Sequence, residues 1–232
     1  MKLSLLLNLG ISLMEGPKPI KDHTLSVARY VNWFLNPLFI NSPCKVLNEL
    51  QKSGCKYLVN IVGNHELYNF RREELAETLG ILRDGSSWYS FKPWDDISLR
   101  FVVLDGYDIS TIEGLDEMKT SEAKGFLKKH NPNDIETFGV EWSKGLEGED
   151  KRFMPYNGMI GEEQMQWFQQ TLKESSESKE SVIILTHVPI HPKAADNLCL
   201  LWNYKEVLGV IKENPCVAAV LAGHDHEVHT KL

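Results

Sequence analysis

No Cys-x-x-Cys pair occurs in this 232-residue chain, and its four cysteines, Cys44, Cys55, Cys199 and Cys216, are scattered. That argues against a disulfide framework or a cysteine-built zinc site and points to a reducing, cytoplasmic compartment. No apolar run approaches the ~20 residues a membrane helix needs. Long basic runs are absent too, and the formal net charge is −7. Nucleic acid is therefore not an expected partner, although a nucleotide could still occupy a local pocket. Neither an internal repeat nor a low-complexity tract is present. With 42% hydrophobic and 25% charged residues, the chain has the composition of a soluble domain and the length for one sizeable core. The expected state is a monomer away from membranes.

Met1 and Lys2 followed by Leu3 to Leu13 loosely resemble a signal peptide, but Asn8, Gly10 and Ser12 dilute the run. The stretch Ser12 to Gly16 is also a poor cleavage site, so a core strand over Leu3 to Leu9 is the favoured reading. Gly16-Pro17-Lys18-Pro19 marks a loop. His23 to Leu35 reads as a helix, and a second begins at Pro43, capped by Ser42. Tyr57 to Val62 is an apolar run that reads as a buried strand. Beyond it the spacing predicts a helix over Arg71–Leu82 and strands at Trp88–Phe91 and Leu99–Leu104. Gly106 to Gly158 is a charge-rich excursion with a short helix near Ser121–Lys129. A helix over Glu162–Leu172 precedes a polar loop at Ser175–Ser181, a strand over Val182–Thr186, a helix near Trp202–Lys212 and a last strand over Val217–Ala222. Strands alternating with helices indicate βαβ units and an α/β sandwich.

Three of these strands end on chemistry. Tyr57–Val62 runs into Gly63-Asn64-His65-Glu66, Val182–Thr186 into His187, and Val217–Ala222 into Gly223-His224-Asp225-His226. Neutral imidazoles and an amide oxygen suit borderline divalent ions such as manganese, iron or zinc. His224 and His226, two residues apart, point to opposite sides of an extended backbone and so toward two different ions. Taken singly, each has a structural reading: Asn64 after Gly63 is compatible with turn chemistry, and a strand-end histidine is often only hydrogen-bonded. Three such strand ends in one chain favour a shared metal site. His23, His130, His191 and His229 keep the structural reading, and Asp105 is either a loop cap or a carboxylate supporting the site.

In this order and at strand ends, Gly63-Asn64-His65-Glu66, His187 and Gly223-His224-Asp225-His226 resemble the last three sequence blocks of the calcineurin-like metallophosphoesterases. The similarity reaches one branch, the manganese-dependent ADP-ribose/CDP-alcohol diphosphatases. It is carried by Gly63 to Phe70, Leu104 to Ser110, His130-Asn131-Pro132-Asn133, Tyr156-Asn157-Gly158 and Asp196 to Tyr204. The resemblance implies an α/β metallophosphoesterase sandwich of two mixed β-sheets flanked by helices. It implies a binuclear divalent-metal cofactor, manganese by the branch, and a small nucleotide substrate such as ADP-ribose or CDP-choline, cleaved at its pyrophosphate bond. Asn64, His187 and His224 would ligate one metal and His226 the other. His65 would sit beside the transferred phosphorus, with Glu66 behind the ligands. Tyr68, Asn197, Trp202 and Tyr204 would lie near the substrate, core packing being the alternative for the aromatic ones.

The family also opens with an Asp-x-His or Asp-x-Gln block, which this sequence lacks, and a Gly-Asp-x-x-Asp block. The best match to the second is Asn8 to Gly16, with Ile11 where the metal-bridging Asp belongs and Glu15 near the second acidic position. The expectation is a single but partial domain over 1–232, with a divergent segment at 1–42 and without the first motif strand and the late strands. Two alternatives stand beside the diphosphatase reading. One is a catalytically impaired product that binds metal or nucleotide weakly, and the other is a phosphoesterase acting on phosphomonoesters.

Overall fold

The computed structural model describes residues 5–8, 57–112, 116–137 and 139–225. The expected helices at His23–Leu35 and from Pro43, the Gly16–Pro19 loop, Ile11, Glu15, His23, His226 and His229 lie outside them. Among the described residues, β1 (Leu5–Asn8) runs parallel to β2 (Tyr57–Asn60), with Leu5 opposite Tyr57 and Asn8 opposite Asn60. The N-terminal apolar run is thus a strand.

The larger sheet has four strands in the order β3 (Tyr89–Phe91), β4 (Leu99–Leu104), β7 (Ser181–Thr186), β8 (Val217–Leu221). It is mixed: β3 is antiparallel to β4, whereas β4, β7 and β8 are parallel. A further antiparallel pair, β5 (Ile109–Ser110) and β6 (Gly158–Met159), brackets the excursion. Side chains on adjacent positions of a strand face opposite ways. On one face of the larger sheet Val102, Leu104, Val182 and Ile184 are buried with residues of two helices, Phe168 and Leu172 of α4 (Glu162–Glu177) and Val207 of α5 (Tyr204–Glu213). On the other, Phe101, Val103 and Leu185 pack with Val59 and Ile61 from β2 and its extension. The central strands are covered on both faces over Phe101–Leu104 of β4 and Val182–Leu185 of β7, which explains the apolar runs there. β8 is equally apolar but ends the sheet, with its residues alternately half-buried and exposed, Val220 among the exposed.

Local chemistry sets the helix limits. The short helix α1 (Asn64–Leu67) begins at the end of β2's extension. α2 (Arg72–Leu79) stops at Gly80, whose φ of 59° is the left-handed cap glycine provides. It is three residues shorter than the Leu75/Leu79/Leu82 spacing suggests. α3 (Glu117–His130) is longer than expected because Asp116 caps it, accepting from the amides of Met118 and Lys119. α4 runs past Leu172 to Glu177 because Ser175, buried, bonds its hydroxyl to the Thr171 carbonyl at 2.8 Å rather than leaving the helix. Among the described residues no helix is long and apolar enough to cross a membrane.

Asp105, at the end of β4, is a cap for its own loop. Its carboxylate accepts from the Tyr107 amide at 2.9 Å, the Arg72 guanidinium at 2.5 Å and the Ser87 hydroxyl at 2.6 Å. Burial alone would raise its pKa, but the Arg72 charge and these hydrogen bonds outweigh burial and hold it below the usual carboxylate value. Its contribution is therefore complete above the unfolded pKa of about 3.9 and lost as pH falls through the lower folded value. Arg72→Met should strand a buried carboxylate and cost roughly 3 kcal/mol at pH 7. Urea midpoints should show the gap to wild type narrowing as pH drops, because Asp105 of the variant protonates first. A gap independent of pH would contradict this assignment.

Candidate metal centre

Parallel pairing brings distant strand ends together. Leu104 lies opposite Thr186 and Leu185 opposite Leu221, so Asp105, His187 and the Gly223–His224 corner emerge at one edge. The Gly223 amide donates to the His187 carbonyl at 2.9 Å and locks the two corners. Asn64 arrives from the end of β2's extension as the first residue of α1.

At that edge, His187 Nε2 lies 3.0 Å from Asn64 Oδ1, and His224 Nδ1 lies 3.3 Å from the same oxygen. The two imidazole centroids are 5.1 Å apart. All three residues are buried, His187 to 1% exposure. Ligands bound to one divalent ion at about 2.1 Å, at the 90–110° angles of octahedral or tetrahedral sites, stand about 2.9–3.4 Å apart. The spacings of His187 Nε2 and His224 Nδ1 from Asn64 Oδ1 both fall in that interval, so these three residues could hold one ion. Among the described residues there is no group of three or more His, Cys, Asp or Glu placed to hold a metal. Among the described residues the candidate centre is the Asn64/His187/His224 cluster.

Gly63 is required by space rather than by conformation, since its φ of −114° suits any residue. A Cβ there would meet Glu66 Oε2 and His187 Cε1 at 2.7 Å each. Glu66 is buried and accepts the Gly63 amide at 3.0 Å, closing the turn behind the ligands. His65, half-buried, presents its ring edge-on to Tyr68 at 5.9 Å. Tyr68 is 54% exposed, with its hydroxyl 3.4 Å from the Asn64 side-chain amide, which donates to it.

Sequence reading missed three neighbours. Tyr107 is buried with its ring 5.8 Å from His187 and 6.4 Å from His224, and its hydroxyl has no hydrogen-bond partner. Tyr156 lies 5.8 Å from the His224 ring. Asn157, fully buried, holds His224 Nε2 through Oδ1 at 2.7 Å. The only signal for them was membership of the stretches Leu104–Ser110 and Tyr156–Gly158, with nothing in their residue types to mark them.

Two expected substrate neighbours belong to the core instead. Trp202 is 1% exposed, donates its indole N–H to the Met154 carbonyl at 3.1 Å and stacks on Phe126 at 5.7 Å. Tyr204 is 3% exposed and its hydroxyl bonds Glu149. Neither ring has a face left for a ligand. Asn197, in the 3₁₀ turn Asn197–Cys199, has a buried Oδ1 without a partner. Next to it, burial, with Asp225 and Asp196 behind it, pushes the Cys199 thiol up to about 12. A thiol that stays protonated is a poor nucleophile, so covalent cysteine chemistry is not what this site is built for. His130 stacks on Phe126 and Phe153 at 4.5 Å each, and His191 accepts the Lys193 amide at 3.1 Å. Both are structural.

A profile of the calcineurin-like phosphoesterases matches residues 22–228. A relative from Arabidopsis thaliana named manganese-dependent ADP-ribose/CDP-alcohol diphosphatase is 41% identical over 186 residues, covering 79% of this chain and 57% of its own. A Homo sapiens relative of the same name is 34% identical over 180 residues, covering 71% of this chain and 51% of its own. The chain thus spans little more than half the length of these curated relatives. A crystal structure of a dimetal phosphatase from Danio rerio superposes with a TM-score of 0.67 at 34% identity, over 80% of this chain and 61% of that one.

The crowding at Gly63 gives a direct test. Gly63→Ala should displace His187, lowering stability by about 1–3 kcal/mol and weakening Mn2+ binding roughly 10-fold. Thermal melts and a calorimetric Mn2+ titration measure the two effects. A variant that melts and binds like wild type would show that His187 does not need its observed position.

Proposed function

The chain belongs to the calcineurin-like phosphoesterase family, and on that premise we propose that it hydrolyses the pyrophosphate bond of ADP-ribose- or CDP-alcohol-type nucleotides with a divalent metal, manganese by its relatives' names. The observation that carries this reading is the convergence of His187 Nε2 and His224 Nδ1 on Asn64 Oδ1 at 3.0 and 3.3 Å. A bound divalent cation supplies a Lewis acid for a phosphoryl oxygen and makes water nucleophilic at neutral pH.

The chain's own residues supply the rest. Asn64, His187 and His224 would hold one ion, and His226 would be a ligand of the second. His65, next to Asn64, half-buried and edge-on to Tyr68, is proposed to donate to a phosphoryl oxygen or to protonate the leaving group as negative charge develops. Beside the metal corner, a cavity of about 430 Å³ is lined by Tyr68, Tyr156 and Trp142. That volume falls in the range of small-ligand sites. Its rings suit a nucleobase, and the buried indole N–H of Trp142, which has no partner, offers a donor to it. The unpartnered Asn197 Oδ1 is an acceptor for a ribose hydroxyl or an exocyclic amine. Among the described residues, Cys199 and Cys216 are free thiols, which supports a cytoplasmic location. The net charge of −7 gives no support to a nucleic-acid partner. We take the protein to act as a monomer.

A second reading, a weakly active or purely binding protein with one metal, is favoured by Ile11 at the bridging position. A carboxylate shared by two cations offsets their repulsion, which an isoleucine cannot do. Steady-state hydrolysis of ADP-ribose with Mn2+ by the 232-residue chain separates the readings. Turnover should appear, fall by roughly 100-fold or more in His187→Ala, and show a raised KM with little change in kcat in Trp142→Ala. Stoichiometric Mn2+ binding without turnover would select the second reading.

A further inference from the structure

We infer that Asn157 is a positioning residue for His224: it fixes which imidazole nitrogen carries the proton and thereby turns Nδ1 toward the metal. The inference rests on the reading of His224 as a ligand. Asn157 is fully buried, and both hydrogens of its side-chain amide are committed. They are donated to the carbonyls of Arg152 and Leu198, each at 2.8 Å. The amide therefore cannot flip, and Oδ1, an acceptor only, faces His224 Nε2 at 2.7 Å. Nε2 is therefore an N–H. Of the two neutral tautomers this is the one whose Nδ1 lone pair faces Asn64 Oδ1, 3.3 Å away. The Asn64 amide nitrogen points instead to the Tyr68 hydroxyl, so that oxygen is held in place as well. Histidine ligands characteristically donate their second N–H to such a fixed acceptor.

Backbone geometry calls for the same brace. His224 sits at φ 65°, the left-handed region that costs a non-glycine residue free energy and persists only where surroundings enforce it. Enforcement comes from two sides of one loop. Asn157 binds His224 and the Leu198 carbonyl, and the Asp196 amide donates to Asp225 at 2.6 Å. The turn Asp196–Cys199 is thus tied to the residue after His224 directly and to His224 itself through Asn157. Arg152, whose carbonyl Asn157 holds, bonds the Trp202 carbonyl at 2.8 Å and anchors the far end of the same loop. The loop that presents Asn197 and the ring that takes the metal form one closed hydrogen-bonded circuit.

The test uses the 232-residue chain and two variants. Asn157→Leu removes the acceptor, whereas Asn157→Asp keeps an oxygen for Nε2–H and loses the two donors. Long-range 1H–15N correlation spectra of the metal-free protein, with His224 assigned by His224→Gln, should show wild type and Asn157→Asp in the Nε2–H form. Asn157→Leu should show a mixture or the other tautomer. Mn2+ titration should place Asn157→Leu roughly 10–100-fold weaker than wild type and Asn157→Asp closer to wild type than to the leucine variant. An unchanged tautomer in Asn157→Leu overturns the proposal, as does Asn157→Asp falling as low as leucine with an intact fold by circular dichroism. If the leucine variant does not fold, the aspartate variant and the wild-type tautomer decide. If wild type binds no Mn2+, the metal reading fails on its own and the spectra alone judge Asn157.

Discussion

Two buried imidazoles close on one buried amide oxygen, and the neighbouring structure is arranged around that contact. His187 Nε2 and His224 Nδ1 lie 3.0 and 3.3 Å from Asn64 Oδ1. Both separations are ones that donors bound to a single ion can adopt. Much of the surrounding structure serves to keep these atoms close. Gly63 removes the Cβ that would push His187 away, the His187 carbonyl takes the Gly223 amide, and Asn157 fixes the ring of His224.

The parallel sheet makes that concentration possible. Parallel strands align their C-terminal ends, so residues 105, 187 and 223–224 reach one edge although more than a hundred positions separate the first from the last. The core behind the edge is apolar on both faces of β4 and β7 and gives the ligands a rigid base. The excursion between β4 and β7 is more than a tether. Its two short strands close on each other, its carboxylate Asp108 binds the Gly161 amide and Lys119, and it returns through Tyr156 and Asn157 into the site. A segment with weak periodicity in sequence thus delivers the residue that holds the His224 ring.

Membership of the calcineurin-like phosphoesterases agrees with this edge, since the three matched blocks are the three strand ends that meet. The relatives' names supply a substrate class, and the aromatic-lined cavity next to the metal corner is consistent in size and chemistry with a nucleoside.

Periodicity and strand-end punctuation were enough to read the alternating α/β order, the strands Leu99–Leu104 and Val182–Thr186, and the strand-end residues Asn64, His187 and His224 that meet in the fold. These features are local: apolar runs have a length, and metal-capable residues have identities. Helix ends were less legible, because Ser175 continues a helix by bonding Thr171 and Gly80 stops one early, both decided by geometry rather than composition. Trp202 and Tyr204 looked like ligand-stacking aromatics and are core, since burial depends on what the fold lays over a ring. Asn157 was invisible as a site residue, since an asparagine before a glycine has the chemistry of any turn. Residue type and order alone determined which atoms are able to hold a metal. Which of them meet, and which nitrogen of His224 faces Asn64, was decided only when strands far apart in sequence aligned and a buried amide with both hydrogens committed had one acceptor left to offer.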